Sequence, residues 1–412
     1  MYESNKKEAS VAIVRAGEVQ YERVDFFQLV QEAVDYLGTI KKFVKPGCKV
    51  FIKPNAVSSA ESVRGVTTEP KLIAALVRLA FEAGATEVIV GDSSVNISNS
   101  YQVMKEIGVV AEVERFGGKV IDLDQDVLVP VDIPQGSAIR KILLPKSVLD
   151  ADIIINAPKA KTHMIDAITC CVKNWVGIIP QKHRLEYHQL PRLYQVIADV
   201  MTIIRPALCI VDAVVIGEGE GPLNVTPRFL GLVFAGTDPV ATDVVVAKVL
   251  GFDADELWFP WAAHLSGIGE IDFNKIQILG MRIDDVKIRA RRPTPALYNR
   301  FPCNIVTGGV CWGCLTWVIG TFVSWEKEGF WSKINHTLGK PTFLMGFNAE
   351  DPGFDEHILV GSYFVIGDCA PEQYKKNKSI IFIPGCPPGP RIDRVVREAV
   401  ERRRADEEYK NC

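Results

Sequence analysis

Val50-Phe51-Ile52-Lys53-Pro54-Asn55 is a short apolar run that stops on a lysine, a proline and an asparagine, and the form recurs along the chain. Val88-Ile89-Val90 runs into Gly91-Asp92-Ser93-Ser94, Ile153-Ile154-Ile155 into Asn156-Ala157-Pro158-Lys159, and Val211 into Asp212 and the stretch Gly217 to Pro222. Other strand-like runs lie at Val11–Val14, Val120–Leu123, Leu230–Phe234 and Ile276–Leu279. Between several of them stand helical patterns, such as Lys71 to Ala83 with Gly84 as its stop and Pro239 to Leu250 ending at Gly251. This alternation predicts an α/β fold with a largely parallel sheet covered by helices. The stretch Val127 to Leu149 breaks the rhythm with Pro130, Pro134 and Pro145, and predicts an antiparallel excursion.

In open α/β sheets ligands bind beyond the carboxyl ends of the strands, so the polar residues at those exits are the candidate site. Lys53, Lys159, Lys161 and Lys173 with His163 would form a positively charged pocket for a small anion, a carboxylate or a phosphate. Asn55, Asn174, Asp92 and Ser93 would orient it, and Glu218 and Glu220, between glycines in what reads as a loop, could bind a divalent metal or move protons. Crowded lysines depress one another's pKa, which makes Lys159 and Lys161 candidates for a reactive amine, with His163 as proton donor near neutral pH. A single lysine after a strand is usually a solvated loop residue; four at strand exits point to a shared site. His183 and His188 follow Pro180 in a polar stretch that could fold as a lid. Cys170 and Cys171 read as buried thiols. Gly217-x-Gly219-x-Gly221 does not open a helix, because Pro222 and Asn224 intervene, so it is not a dinucleotide fingerprint.

The last quarter carries different chemistry. Cys311-Trp312-Gly313-Cys314, Gly367-Asp368-Cys369 and Pro384-Gly385-Cys386-Pro387-Pro388 offer four thiolates for one metal centre. The apolar runs Tyr363–Ile366 and Ile380–Ile383 each deliver a cysteine past their last residue, and parallel strands would put both exits on one edge. Iron–sulfur clusters and structural zinc both take four thiolates. Zinc ligands usually come as two close pairs, whereas here the third and fourth stand on separate strand ends. Cys303 could be a fifth thiol nearby or a small buried apolar residue.

The chain of 412 residues, nearly half apolar, has material for two domains, divided here at the basic stretch Ala290 to Pro295 into residues 1–290 and a smaller C-terminal α/β domain, residues 300–412. A net charge of −3 gives no electrostatic case for nucleic acid. No apolar segment follows the first charged residues, and ten cysteines suit metal and buried thiols, so the expected setting is a reducing cytoplasm. The aromatic run from Leu315 is too short for a membrane span and should pack over the metal centre.

Asn156-Ala157-Pro158-Lys159-Ala160-Lys161-Thr162-His163 and Val172-Lys173-Asn174-Trp175-Val176-Gly177 resemble the signature of the DUF362 family. Lys53-Pro54-Asn55, Glu69-Pro70, Gly91-Asp92-Ser93 and Thr237-Asp238-Pro239-Val240-Ala241-Thr242-Asp243 extend that likeness over residues 10 to 260. The family is uncharacterised and often associated with iron and sulfur. The C-terminal cysteines are similar to the proximal cluster region of the nickel–iron hydrogenase small subunit and its counterpart in respiratory complex I. That resemblance implies a [4Fe–4S] cluster on Cys311, Cys314, Cys369 and Cys386. Joined to the lysine-rich rim, such a cluster gives the leading expectation, an iron–sulfur oxidoreductase that passes electrons to a small anionic substrate or cofactor, drawing them from a low-potential donor such as ferredoxin. A looser likeness to the N-terminal region of nickel-dependent lactate racemases implies the rival, a racemase, isomerase or lyase with a structural cluster. A non-catalytic electron-transfer or cofactor-maturation protein is the third reading, and any of the three is compatible with an oligomer.

Overall fold

The computed structural model describes residues 9–17, 20–94, 99–163, 166–188, 193–292, 301–307, 310, 312–347, 349–351, 362–385 and 388–410. The chain divides into two compact units, residues 1–184 with 194–294, and residues 185–193 with 295–412.

The first unit is built on β1 (Ala9–Arg15), β2 (Lys49–Pro54), β3 (Glu87–Asp92) and β4 (Lys119–Asp122), then a hairpin of β5 (Leu128–Asp132) and β6 (Lys141–Pro145), then β7 (Ile153–Ala157), β8 (Lys159–Thr162), β9 (Ile168–Thr169), β10 (Leu208–Glu220), β11 (Asn224–Gly236) and β12 (Ile276–Gly280). The main sheet runs β12-β1-β11-β10-β7-β2-β3-β4, with β8 and β9 attached beside β10. β10, β7, β2, β3 and β4 are mutually parallel, so their carboxyl ends form one edge. Helices flank the sheet, as the alternation predicts, and β5 and β6 pair antiparallel as the proline-rich excursion requires.

Local chemistry sets the covering helices. Helix Pro70–Glu82 starts where Glu69 accepts the Lys71 amide and proline occupies the first turn, buries Leu72, Ile73, Leu76 and Leu79, and turns Arg78 and Glu82 outward as a pair. Gly84, at φ +97°, closes it in the left-handed region that a glycine enters without strain. Helix Pro239–Leu250 is capped by Asp238 on the Val240 and Ala241 amides, ends at Gly251, and is buried all round except at Lys248. Its Val244-Val245-Val246 run is tolerated because burial outweighs helix propensity: each such side chain contributes about 1.5 to 3 kcal/mol when removed from water, against about 0.7 kcal/mol or less of propensity.

One expectation is corrected here. Gly217 to Glu220 is not a loop: β10 continues through it in antiparallel register with β11, Glu218 opposite Thr226 and Glu220 opposite Asn224. Gly217 is held by packing, since a Cβ there would meet the Gly65 carbonyl oxygen at 2.5 Å.

The second unit carries a parallel sheet ordered β13 (Asn304–Thr307), β14 (Thr342–Met345), β15 (Tyr363–Ile366) and β16 (Ile381–Ile383). Helices Trp312–Glu328, Phe330–Leu338 and Arg391–Lys410 accompany it. Its core is aromatic: Phe322 lies 4.8 Å from Phe343, 5.0 Å from Trp331 and 5.3 Å from Trp325, ring centre to ring centre. Trp325 places its indole N–H on Asp393 at 2.6 Å, so the ring is buried without an unmet donor. Among the described residues no helix is long and apolar enough to cross a membrane.

Candidate functional site

Lys53, Lys159 and Lys161 are buried to 1%, 1% and 0% exposure, which replaces the expectation that any one of them is a solvated loop residue. Lys159 and Lys161 alternate along β8 and so share one of its faces. Burying an ammonium without a partner is costly, and the fold meets that cost with carboxylates and carbonyls. Lys53 Nζ donates to Asp92 Oδ1 and to the Pro54 carbonyl, each at 2.7 Å. Lys159 Nζ donates to Asp212 Oδ2 at 2.9 Å; Asp212 also accepts the Glu69 amide at 2.8 Å and the Val214 amide at 3.1 Å. Lys161 Nζ donates to the Val66 carbonyl at 2.6 Å and reaches Asn55 Oδ1 at 3.4 Å. Asn174 Nδ2 binds the Lys53 and Pro54 carbonyls, each at 3.2 Å, and Asn156 Oδ1 at 2.8 Å, which pins the exits of β2 and β7 together.

The electrostatics follow from that burial. Desolvation, then the charges of Lys159 and Lys173, bring Lys161 from its ordinary 10.5 down to about 7, so a large share of it is a neutral amine at neutral pH. His163 is held well below its ordinary 6.5 by burial and by the ammoniums of Lys173 and Lys161. These surroundings favour the neutral imidazole over the imidazolium. Burial raises Asp166 and lowers Lys173, and their mutual attraction opposes both shifts. Asp166 Oδ1 accepts the Trp258 amide at 2.7 Å and the Phe259 amide at 3.3 Å, while Lys173 Nζ lies 4.6 Å from the Phe259 ring centre.

The structure therefore brings together Lys53, Asn55, Asp92, Lys159, Lys161, His163, Lys173 and Asn174. Ser93 sits at the margin, donating its hydroxyl to Asp124 at 2.9 Å and accepting from Arg184 Nη2 at 2.5 Å. Glu218 is engaged elsewhere, with Arg228 at 3.4 Å and the Arg291 amide at 3.0 Å; the Glu220 side chain lies outside the described residues. His183 and His188 belong to a helix, Gln181–His188, rather than a loop. Arg184 of that helix is buried and grips the Ser93 and Ser94 carbonyls at 2.8 and 3.1 Å. Sequence reasoning gave no role to Glu69, Asp166, Asp212, Arg184 or Asp243. Asp212 at a strand exit was the visible signal; the others are set by contacts distant in sequence.

In the second unit the two described cysteines of the thiol set converge. A Cβ on Gly367 would lie 3.1 Å from Cys314 Sγ and 3.9 Å from Cys369 Sγ, so both sulfurs border the space that this glycine leaves. The Gly367 amide donates to the Ile383 carbonyl at 2.9 Å and the Gly385 amide to Asp368 Oδ1 at 2.8 Å, which fastens the turn bearing Cys369 to the segment preceding Cys386. Because β15 and β16 are parallel, both segments leave the same edge. Cys311 and Cys386 lie outside the described residues. Cys303 is buried and its thiol is raised to about 12 by burial, so it stays protonated.

A further set of ligating atoms, on Cys170, Cys171 and Asp243, lies within 4.8 Å of one another and is close enough to hold a metal ion. Burial raises the Cys170 thiol to about 12 and Asp243 to about 6.

These features define a helix-flanked α/β protein with a buried lysine–carboxylate centre at the carboxyl edge of its parallel strands, joined in one chain to a small thiol-bearing unit. The chain belongs to the DUF362 family, a domain of unknown function, whose model matches residues 50–248. It is 30% identical over 256 residues to a thylakoid-associated protein, sll1697, of Synechocystis sp., a match covering 59% of this chain and 75% of that one. Among solved structures it is similar to the lactate racemase apoprotein from Thermoanaerobacterium thermosaccharolyticum, with 12% identity and a TM-score of 0.35, over 56% of this chain and 54% of that one. The chain thus spans about half of that neighbour, and a likeness at this level carries no argument about activity.

Proposed function

We propose that the protein is an iron–sulfur oxidoreductase that acts on a small anionic substrate held by the lysine-rich centre of the α/β unit. The observation that carries this reading is the convergence of Cys314 and Cys369 on the space at Gly367, beside the segment that leads into Cys386. Cys311, Cys314, Cys369 and Cys386 would hold a [4Fe–4S] cluster, which supplies one-electron transfer when bound.

The residues of the α/β unit would do the rest. Lys161, held by a carbonyl and an amide oxygen, and Lys173 would attract the anion in their protonated forms. Asn55 and Asn174 would orient it. Asp166, whose acid form burial favours, would give up a proton as negative charge builds on the substrate, and neutral His163 would hold the substrate by hydrogen bonding.

Anaerobically purified protein should contain about four irons and four sulfides per chain and show a paramagnetic signal on reduction. Cys369→Ser should lose iron and sulfide together. Zinc bound by the C-terminal cysteines, with no iron, would overturn the cluster. Given a cluster, reduction by a low-potential donor such as ferredoxin should support turnover, and added substrate should reoxidise it. Donor-independent turnover at an unchanged cluster state would instead establish the racemase, isomerase or lyase reading, for which the near-neutral amine of Lys161 would serve as base.

A further inference from the structure

Cys170 and Cys171 are consecutive, yet their sulfurs are 3.9 Å apart. Neighbouring residues of an extended strand point to opposite faces, but Cys170, at φ −154° and ψ −139°, stands where the chain turns into the short helix Cys171–Asn174, and this brings both thiols to one side. Asp243, from the buried helix Pro239–Leu250, faces them. Its two oxygens accept the Cys171 and Val172 amides at 2.6 and 3.0 Å, one each, which leaves each oxygen a further lone pair. Both thiols stand beside this carboxylate, with the ligating atoms of Cys170, Cys171 and Asp243 all within 4.8 Å of one another. Two thiols and a carboxylate, brought from distant parts of the sequence, thus meet in the core.

We propose that Cys170, Cys171 and Asp243 bind a zinc ion. The mixed sulfur and oxygen donors select this ion: calcium and magnesium require oxygen alone, and cuprous copper favours thiolates without a carboxylate. Binding exchanges each coordinating thiol's proton, released to solvent, for a bond to zinc. Backbone amides already hold the carboxylate in place, the kind of outer support that orients ligands in metal sites. Because all three side chains are buried, the ion enters while the chain folds, and the folded protein retains it against a chelator. This inference is independent of the iron–sulfur reading, since its residues lie in the other unit.

The test is metal analysis of the full-length protein produced in zinc-supplemented medium and dialysed against EDTA. About one zinc per chain should remain in the wild type and in Cys369→Ser. It should fall about tenfold or more in Cys170→Ser/Cys171→Ser and in Asp243→Asn, the latter keeping the size of the carboxylate. Protein produced with cobalt(II) in place of zinc should show sulfur-to-cobalt charge-transfer absorption, a measurement that needs no variant should the double substitution fail to fold. Folded wild-type protein with neither zinc nor that absorption would overturn the proposal, as would zinc that disappears in Cys369→Ser and persists in the Cys170/Cys171 double variant.

Discussion

Among the described residues no carboxylate accepts a hydrogen bond from Lys161; a carbonyl and an amide oxygen hold it, in complete burial. Its stability contribution therefore depends on pH in a definite sense. The unfolded lysine keeps its proton up to about 10.5, whereas the folded one releases it above about 7, so between those values the unfolded chain binds more protons. Unfolding free energy then rises with pH across that window, and below it the cost of the buried charge is fully present. Lys161→Met should remove the rise: the advantage of wild type over variant should grow by on the order of 2 kcal/mol between about pH 7 and about pH 9.5 in urea titrations. A difference that does not change with pH would mean that Lys161 titrates normally. Lys159 is paired with a buried carboxylate, Asp212, at 2.9 Å. Removing either member of that pair leaves a buried charge alone, so Lys159→Met and Asp212→Asn should each cost about 3 to 5 kcal/mol, and the double variant much less than their sum. Additive losses would show that the two do not act as a pair.

At the scale of elements, the strands and helices were legible where one residue pattern decides them. The β-branched runs of β2, β3 and β7 and the Glu69–Gly84 helix follow from apolar spacing and end signals. The candidate site was legible as a list of exits, because β8 and the ends of β2 and β7 carry their lysines and asparagines in the sequence itself. Its charge balance was not, since Asp212, Asp166 and Asp243 meet their partners across tens of residues. Glycines misled in one place: Gly217 and Gly219 look like a loop but belong to β10, where Gly217 admits the close approach of Gly65 and Gly219 that of the Arg291 side chain. Gly177 does similar service at the centre of the site, since a Cβ there would collide with Asp92 Oδ1 and Lys53 Nζ. Gly177→Ala should separate that ion pair and cost about 1 to 3 kcal/mol of stability, with loss of anion binding measured by calorimetry. Gly367→Ala should act in the other unit, where φ is +92° and the added methyl group meets Cys314 Sγ. Iron content should fall while far-ultraviolet circular dichroism of the whole chain changes little.

For the whole molecule, the two units have chemically distinct cores. The first is aliphatic, built from valine, leucine, isoleucine and alanine across a wide sheet, whereas the second packs Phe301, Phe322, Trp325, Trp331 and Phe343 around four short strands. Each core is large enough to lose its order in one step, so calorimetry should resolve two unfolding transitions rather than one. Lys159→Met should lower only the first unit's transition, because its buried charge is uncompensated there. Cys369→Ser should lower only the second unit's, because a bound cluster stabilises the fold that binds it and a missing one does not. Tryptophan fluorescence helps to assign the transitions, since Trp325 and Trp331 report from the aromatic core while Trp175 reports from the α/β unit. A single transition that shifts by the same amount in both variants would show that the units unfold as one, and the separate assignment of their chemistry would then need a variant in each unit tested against the function of the other.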